Sequence, residues 1–197
     1  MMKRIVCALL ALMLLFTLVP ATSMTASAAS VSKELMNFVK NEEFYEDPED
    51  EPVEEFYCYQ DNGQQSIGFG TVCPGGSKVH DEGEHTITRA EAEAALKKEL
   101  EAAADAVNKF AAKYGLSLSQ SKLDALTSFT YNCGTGWMSA DGIFRQAVIE
   151  GKTGNDFLYA ITLWSSGGIG LRDRRLCEAN MYLNGKYSNE VPARYTY

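Results

Sequence analysis

Ser66-Ile67-Gly68-Phe69-Gly70-Thr71, preceded by Asp61-Asn62-Gly63, is the stretch that decides the fold. Asp-Asn-Gly is turn chemistry. Ser66 to Val72 reads as the return strand of a hairpin, and aromatic-rich Phe56-Tyr57-Cys58-Tyr59 as its outgoing partner. Two glycines in so short a strand mark a place where a helix or a ligand comes close to the backbone. Upstream, Ser32 can cap a helix from about Lys33 to Glu43, with Leu35, Phe38 and Val39 on its apolar face. The helix ends in Glu42 and Glu43, so carboxylates on a helix end stand next to a hairpin carrying an Asp and a hydroxyl.

The start of the chain reads as a leader. Lys3 and Arg4 precede an apolar run from Ile5 to Val19, and Ala26-Ser27-Ala28 closes it. This is the layout of a secretory signal peptide over residues 1–28. The apolar run is short for a membrane span, which needs roughly 20 residues. The expected mature chain, residues 29–197, is long enough for one domain with its own core. Without Lys3 and Arg4 the formal charge moves from −8 to −10. So acidic a chain argues against nucleic acid as partner, because phosphate binding wants a basic surface. No stable membrane association is expected after leader removal, and a secreted monomer is the expectation.

Residues 46–55 hold two prolines and seven acids and read as a solvated loop. A polar loop from His80 to His85 carries both histidines. Neither loop has convincing metal-ligand spacing, so no metal and no cofactor is expected. Thr88 with Glu91 is a capping-box signal. It opens a long helix to about Tyr114, stopped by Gly115, with Ala92, Leu96, Leu100, Ala103, Val107, Phe110 and Tyr114 as one stripe. Ser119 opens another helix, with Leu123, Leu126, Phe129 and Cys133 inward, broken at Gly134 and Gly136. Asp141 is expected to cap a short helix ended by Gly151. Further helices are expected over roughly 155–165 and 171–183, the latter stopped by Gly185, before an irregular tail. The predicted fold is α+β and mostly helical: a small β-hairpin region beside an N-terminal helix and a C-terminal helix bundle.

Cys58, Cys73, Cys133 and Cys177 remain after the leader, and an even count in an exported chain suggests disulfides. Cys58 and Cys73 flank the hairpin and can bridge it. That leaves Cys133 with Cys177 as a tentative second bridge, or as two free buried thiols.

Five motifs in order make the region from about Ser32 to Tyr187 resemble the phage-type, T4-lysozyme-like glycoside hydrolases. They are Lys40-Asn41-Glu42-Glu43-Phe44; Tyr59-Gln60-Asp61 leading into Ser66-Ile67-Gly68-Phe69-Gly70-Thr71; Ile87-Thr88-Arg89-Ala90-Glu91-Ala92-Glu93; Ser128-Phe129-Thr130-Tyr131-Asn132-Cys133-Gly134; and Trp164 with Gly170-Leu171-Arg172-Asp173-Arg174-Arg175-Leu176-Cys177-Glu178. The resemblance implies a secreted muramidase acting on the β-1,4 bond between N-acetylmuramic acid and N-acetylglucosamine in peptidoglycan. It implies Glu43 as general acid, Asp61 as the carboxylate that activates water, and Ser66 as the hydroxyl that positions it. Gly68, Phe69 and Asn132 would border the substrate. Apolar neighbours around Glu43 suit a carboxyl that must hold a proton. The chain departs from the pattern in its long 44–60 gap, which leaves Glu42, Glu46 and Glu51 as rival acids. The turn after Asp61 is one residue short, which places Gln60 at the strict Asp position. Ser66 stands where the pattern has Thr, and Phe44 where it has Gly. An arginine among Arg172, Arg174 and Arg175 is expected to pair with an acid, Glu43 among the candidates. Trp137 is a candidate sugar-stacking residue, and Trp164 a core residue. An inactive glycan-binding module and a chitin-directed glycosidase are the alternatives.

Overall fold

The structure is a computed structural model, and it describes residues 30–44, 51–61, 64–74, 85–139, 141–166 and 168–195. The expected leader, Glu46 and His80 lie outside the described residues.

Helix α1 (Lys33–Glu43) starts where its cap requires. The Ser32 hydroxyl accepts from the Leu35 amide at 3.0 Å, and Leu35, Phe38 and Val39 are buried. The β region differs from a single hairpin. β1 (Glu55–Tyr57) pairs antiparallel with β5 (Thr86–Thr88), far along the chain. β2 (Tyr59–Asp61), β3 (Gln64–Ile67) and β4 (Thr71–Val72) form a separate three-stranded meander. The expected return strand is therefore broken by a turn at residues 68–70. Gly68 has φ +63°, and a Cβ there would stand 2.9 Å from the Ala92 Cβ. Only a glycine lets the turn lie against the next helix.

That helix is α2 (Arg89–Tyr114). Thr88 and Glu91 form the full capping box, and Gly115 closes the helix in the left-handed region. At 26 residues it is about 39 Å long and connects the β region to the bundle. Ala104, not Ala103, continues its buried stripe, and Ala103 faces the cavity described below. The bundle comprises α3 (Gln120–Cys133), α4 (Ile143–Ile149), α5 (Gly154–Thr162) and α6 (Ile169–Asn184). Its centre is aromatic: Phe129, Trp137 and Phe144 lie within 6.0 Å of one another, ring to ring. Trp137 is fully buried and donates from Nε1 to the Thr130 hydroxyl at 3.1 Å, so it is core rather than a sugar platform. Trp164 packs edge-on against Phe129 as expected of a core residue. Asp141 does not cap α4; Gly142 holds that position and Asp141 pairs with Arg145 instead. The tail is more ordered than expected: Ala193–Tyr195 is a 3₁₀ turn and Tyr195 is buried.

Cys58 and Cys73 are disulfide-bonded across the meander, with Cα atoms 5.9 Å apart. The expected Cys133–Cys177 bridge is absent, and both are free thiols. The Cys133 sulfur accepts from Arg175 Nη1 at 2.6 Å, while Cys177 is fully buried among apolar neighbours. Burial pushes the Cys177 thiol up to about 12.

One buried acid ties the two ends of the described chain to the bundle. Asp124 on α3 accepts from the Ser32 hydroxyl at 2.6 Å, the Tyr187 hydroxyl at 2.7 Å and Gln120 Nε2 at 2.9 Å. Burial and the Asp124 carboxylate both push the Tyr187 phenol above its ordinary value, so it remains a donor. Hydrogen bonds to a charged group are worth roughly 1.5–3 kcal/mol each. Asp124→Ala is expected to lower unfolding stability by about 3 kcal/mol, measured by urea denaturation. A change under about 0.5 kcal/mol would show that the contacts carry no net stability.

Candidate active site

Glu43 is the last residue of α1. Helix α1 stops there because Phe44 turns extended, its amide still bonded to the Lys40 carbonyl at 2.8 Å. Phe44 packs edge-on against Phe56 (5.3 Å between centroids), and Phe56 packs against Phe69 (5.1 Å). This row of rings fixes the helix end against the 68–70 turn. Gly70 in that turn has φ +94°, and a Cβ on it would lie 3.5 Å from Glu43 Oε2 and 3.2 Å from the Tyr131 hydroxyl. Tyr131, from α3, donates to the Phe69 carbonyl at 2.7 Å and so pins the turn from the bundle side.

On its other side Glu43 meets Arg174 of α6, which donates from Nη1 to Oε1 at 2.5 Å. Arg174 is only 5% exposed, and its Nε lies 3.4 Å from Glu178 Oε1. Glu178 is wholly buried and also accepts from the Ser128 hydroxyl at 2.7 Å. Arg175 reaches it at 2.8 Å and also donates to Asn132 Oδ1 at 2.8 Å. Burial alone would lower the Arg174 guanidinium, but the Glu178 and Glu43 charges outweigh it and hold it above its ordinary value. Arg174 therefore stays a cation.

A cavity of about 460 Å³ opens at this point, with Glu43, Gly70, Glu99, Tyr131, Asn132 and Thr135 in its lining. Burial, then the neighbouring Glu43 and Glu99 charges, raise the Tyr131 phenol, so it is a neutral hydroxyl at working pH. Glu99 was not anticipated from the sequence. It sits on α2 between the exposed acids Glu91 and Glu101, and only the fold turns it into the cavity. Burial pushes its carboxyl above the usual range; the Thr71 hydroxyl opposes this, the Glu43 charge adds to it, and Lys98 opposes it.

The rival acids separate cleanly. Glu42 accepts from Asn189 Nδ2 at 2.7 Å and so faces the C-terminal tail. Glu51 is exposed. Of Glu42, Glu43 and Glu51, only Glu43 is in the cavity lining. It is partly buried, as expected, but its immediate partner is a cation. Asn132 also lines the cavity. Gly68 and Phe69 are not in this lining: Gly68 lies against α2, and the Phe69 ring, 1% exposed, belongs to the core, its carbonyl accepting from Tyr131.

The hairpin register bears on the choice between Gln60 and Asp61. Tyr59 pairs with Ser66, Gln60 with Gln65 and Asp61 with Gln64. Side chains alternate along a strand and paired positions share a face. Position 61 therefore shares a face with position 66, and position 60 takes the other. The Ser66 hydroxyl is buried and has no hydrogen-bond partner among the described residues.

A carboxylate-bearing groove between a helix end, a glycine turn and a helical bundle, in a mostly helical α+β fold, is the architecture of lysozyme-type glycosidases. Residues 53–178 match the family model described as phage lysozyme, and the chain belongs to that family; it is a glycosidase. Among solved structures it is similar to the endolysin from Escherichia coli O157:H7 phage FAHEc1, with 28% identity, TM-score 0.63, and 81% of this chain and 96% of that one covered. It is also similar to the muramidase domain of SpmX from Asticaccaulis excentricus, with 21% identity, TM-score 0.60, and 79% and 98% covered. A P22 lysozyme mutant shares the fold at 24% identity and TM-score 0.56, with 78% and 97% covered. No curated protein is significantly similar. The family match begins after α1, so Glu43 is tied to the site by the tertiary structure.

The two turn glycines should fail differently. Gly68→Ala pushes the turn off α2 and is expected to lower the melting temperature by several degrees. Gly70→Ala strains a positive φ by about 1–3 kcal/mol and crowds Glu43 and Tyr131. Activity per folded molecule should then fall at least tenfold, measured beside circular dichroism. Equal effects of both changes on specific activity would contradict the distinction.

The Glu99 carboxyl gives a pH signature. Its folded value lies above its unfolded one, so the native state binds the extra proton and stability falls as pH rises between the two. Glu99→Gln should therefore raise the melting temperature at pH 7 and change it little at pH 4. An equal shift at both pH values would remove the assignment.

Proposed function

We propose that the protein is a muramidase that cleaves the β-1,4 bond between N-acetylmuramic acid and N-acetylglucosamine in peptidoglycan, outside the cell that makes it. The observation that carries this reading is Glu43 at the cavity mouth of the helix end, gripped through Oε1 by Arg174, with Oε2 toward the open space above Gly70. Family membership supports it. The expected leader over residues 1–28 would supply export.

In this mechanism Glu43 protonates the glycosidic oxygen as the carbon–oxygen bond breaks, and the sugar carries the developing positive charge. Giving up the proton leaves a carboxylate, and the Arg174 cation is already in place to stabilise it. Asp61 accepts a proton from the attacking water, and the Ser66 hydroxyl orients that water. A common strand face for positions 61 and 66, and a Ser66 hydroxyl without a partner among the described residues, support this pairing. Asn132 and Tyr131 border the glycan as neutral hydrogen-bonding groups.

The test is clearing of purified peptidoglycan, with new reducing ends identified. Wild type should release muramic-acid reducing ends. Glu43→Gln and Asp61→Asn should each lower the rate by roughly 10²–10⁴-fold with unchanged circular dichroism. Wild-type protein that binds glycan but is as inert as Glu43→Gln would establish a binding module instead. Release of N-acetylglucosamine oligomers from chitin alone would redirect the substrate.

A further inference from the structure

A second cavity, about 470 Å³, lies behind α6. It matches the volume of the catalytic groove and takes no part in it. Arg172 and Leu176 contribute from α6, whereas Arg174 of the same helix reaches Glu43. Residues two apart on a helix point about 160° away from each other around its axis. The two cavities thus occupy opposite faces of α6. Helix α5 and the C-terminal 3₁₀ turn complete the second one.

Its chemistry is distinctive for this chain. Arg172 and Arg194 both line it, and among the described residues no acid does. The whole chain holds 26 acids against 18 lysines and arginines, so a lining of two guanidiniums without a carboxylate runs against the composition. Among the described residues neither guanidinium has an acidic partner. Arg194 donates to the neutral Asn180 Oδ1 at 2.9 Å and lies over the Tyr195 ring at 4.9 Å. The nearest acids on α5 and α4 are segregated: Asp156 and Glu150 line a separate cavity on the far side of Tyr159, where Glu150 pairs with Lys152 at 3.2 Å. Leu158 and Leu176 give an apolar floor, and Tyr159, 60% exposed, gives an aromatic wall. Asn155 and Thr162 add neutral hydrogen-bonding groups.

We infer that this cavity binds an acidic group, a carboxylate or a phosphodiester, carried on a wall polysaccharide. The guanidiniums match planar or tetrahedral oxyanions as bidentate donors. The tyrosine wall and leucine floor suit a sugar or polyol stem beside the acid. An acidic enzyme is repelled by an anionic wall, and a local cationic pocket away from the catalytic groove would hold it there while the groove works. The identity of the polymer rests on the muramidase reading; the anion preference does not.

The experiment uses the full chain and measures two quantities. Binding to insoluble walls is followed in the Glu43→Gln background, so that cleavage does not interfere, at low and high salt. Cleavage is followed separately on a short soluble glycan without peptide or phosphate. Arg172→Ala/Arg194→Ala should bind walls at least fivefold more weakly at low salt, while cleaving the soluble glycan at the wild-type rate. Arg172→Lys/Arg194→Lys keeps the charge but loses the bidentate fork, so it should recover part of the low-salt binding, which a merely structural defect would not. Walls stripped of phosphodiester polymers separate the sources: a defect that persists identifies carboxylates of the peptidoglycan peptides, and one that disappears identifies the phosphodiester. Unchanged binding of the double alanine variant on both wall types overturns the proposal. Failure of the muramidase reading looks different: wild type would free no reducing ends, whatever its wall binding.

Discussion

The site depends on a buried chain of charges: Glu178 to Arg174 to Glu43. Placing a wholly buried carboxylate and two nearly buried guanidiniums in a helical core is costly unless each is paired and hydrogen-bonded. Here Glu178 takes Ser128, Arg174 and Arg175, and Arg174 reaches on to Glu43 through Nη1, its Nη2 having no hydrogen-bond partner among the described residues. Removing one member would leave its partner uncompensated, so the members hold one another in place. The same contacts fix α6 against α3 and bring both to the end of α1. The cavity carboxylate Glu43 is thus positioned by the most buried part of the bundle rather than by the loop that follows it.

A second constraint comes from the other side of the groove. The 68–70 turn must pass between α2 and the site, touching Ala92 on one face and opening toward Glu43 on the other. Two glycines achieve this, one by close approach and one by leaving room. Tyr131 joins the turn to α3 through the Phe69 carbonyl. The groove floor is therefore anchored to the bundle by one hydrogen bond and to α1 by the Phe44–Phe56–Phe69 row. With the disulfide at the base of the meander, these contacts support short strands that are weak on their own.

Much of the framework was legible because it is local. Ser32, Thr88 and Ser119 cap their helices as a hydroxyl three residues ahead of an amide must. Gly115 and Gly185 stop theirs because both sit at positive φ. Glu43 was legible from its motif. The misses share one cause, dependence on distant partners. β1 pairs with β5 across about thirty residues, which no alternation in β1 announces. Spacing leaves Trp137 a candidate sugar platform because it does not reveal that Phe110, Phe129 and Phe144 close over it. Cysteine count leaves Cys133 open between a bridge and a free thiol, and the fold decides for the thiol, its sulfur taken by Arg175, 42 residues away.

The sequence by itself determined most of the helices, the hydroxyl caps at Ser32, Thr88 and Ser119, the glycine stops at Gly115 and Gly185, and the carboxylate motif, because hydroxyl-to-amide spacing and backbone freedom act within a few residues. Only the tertiary structure decided which carboxyls meet. It turned Glu43 to Arg174, 131 residues distant, turned Glu42 away to Asn189, and brought Glu99 into the groove. Charge pairing and burial are properties of what surrounds a group, and those surroundings exist only once the helices have packed.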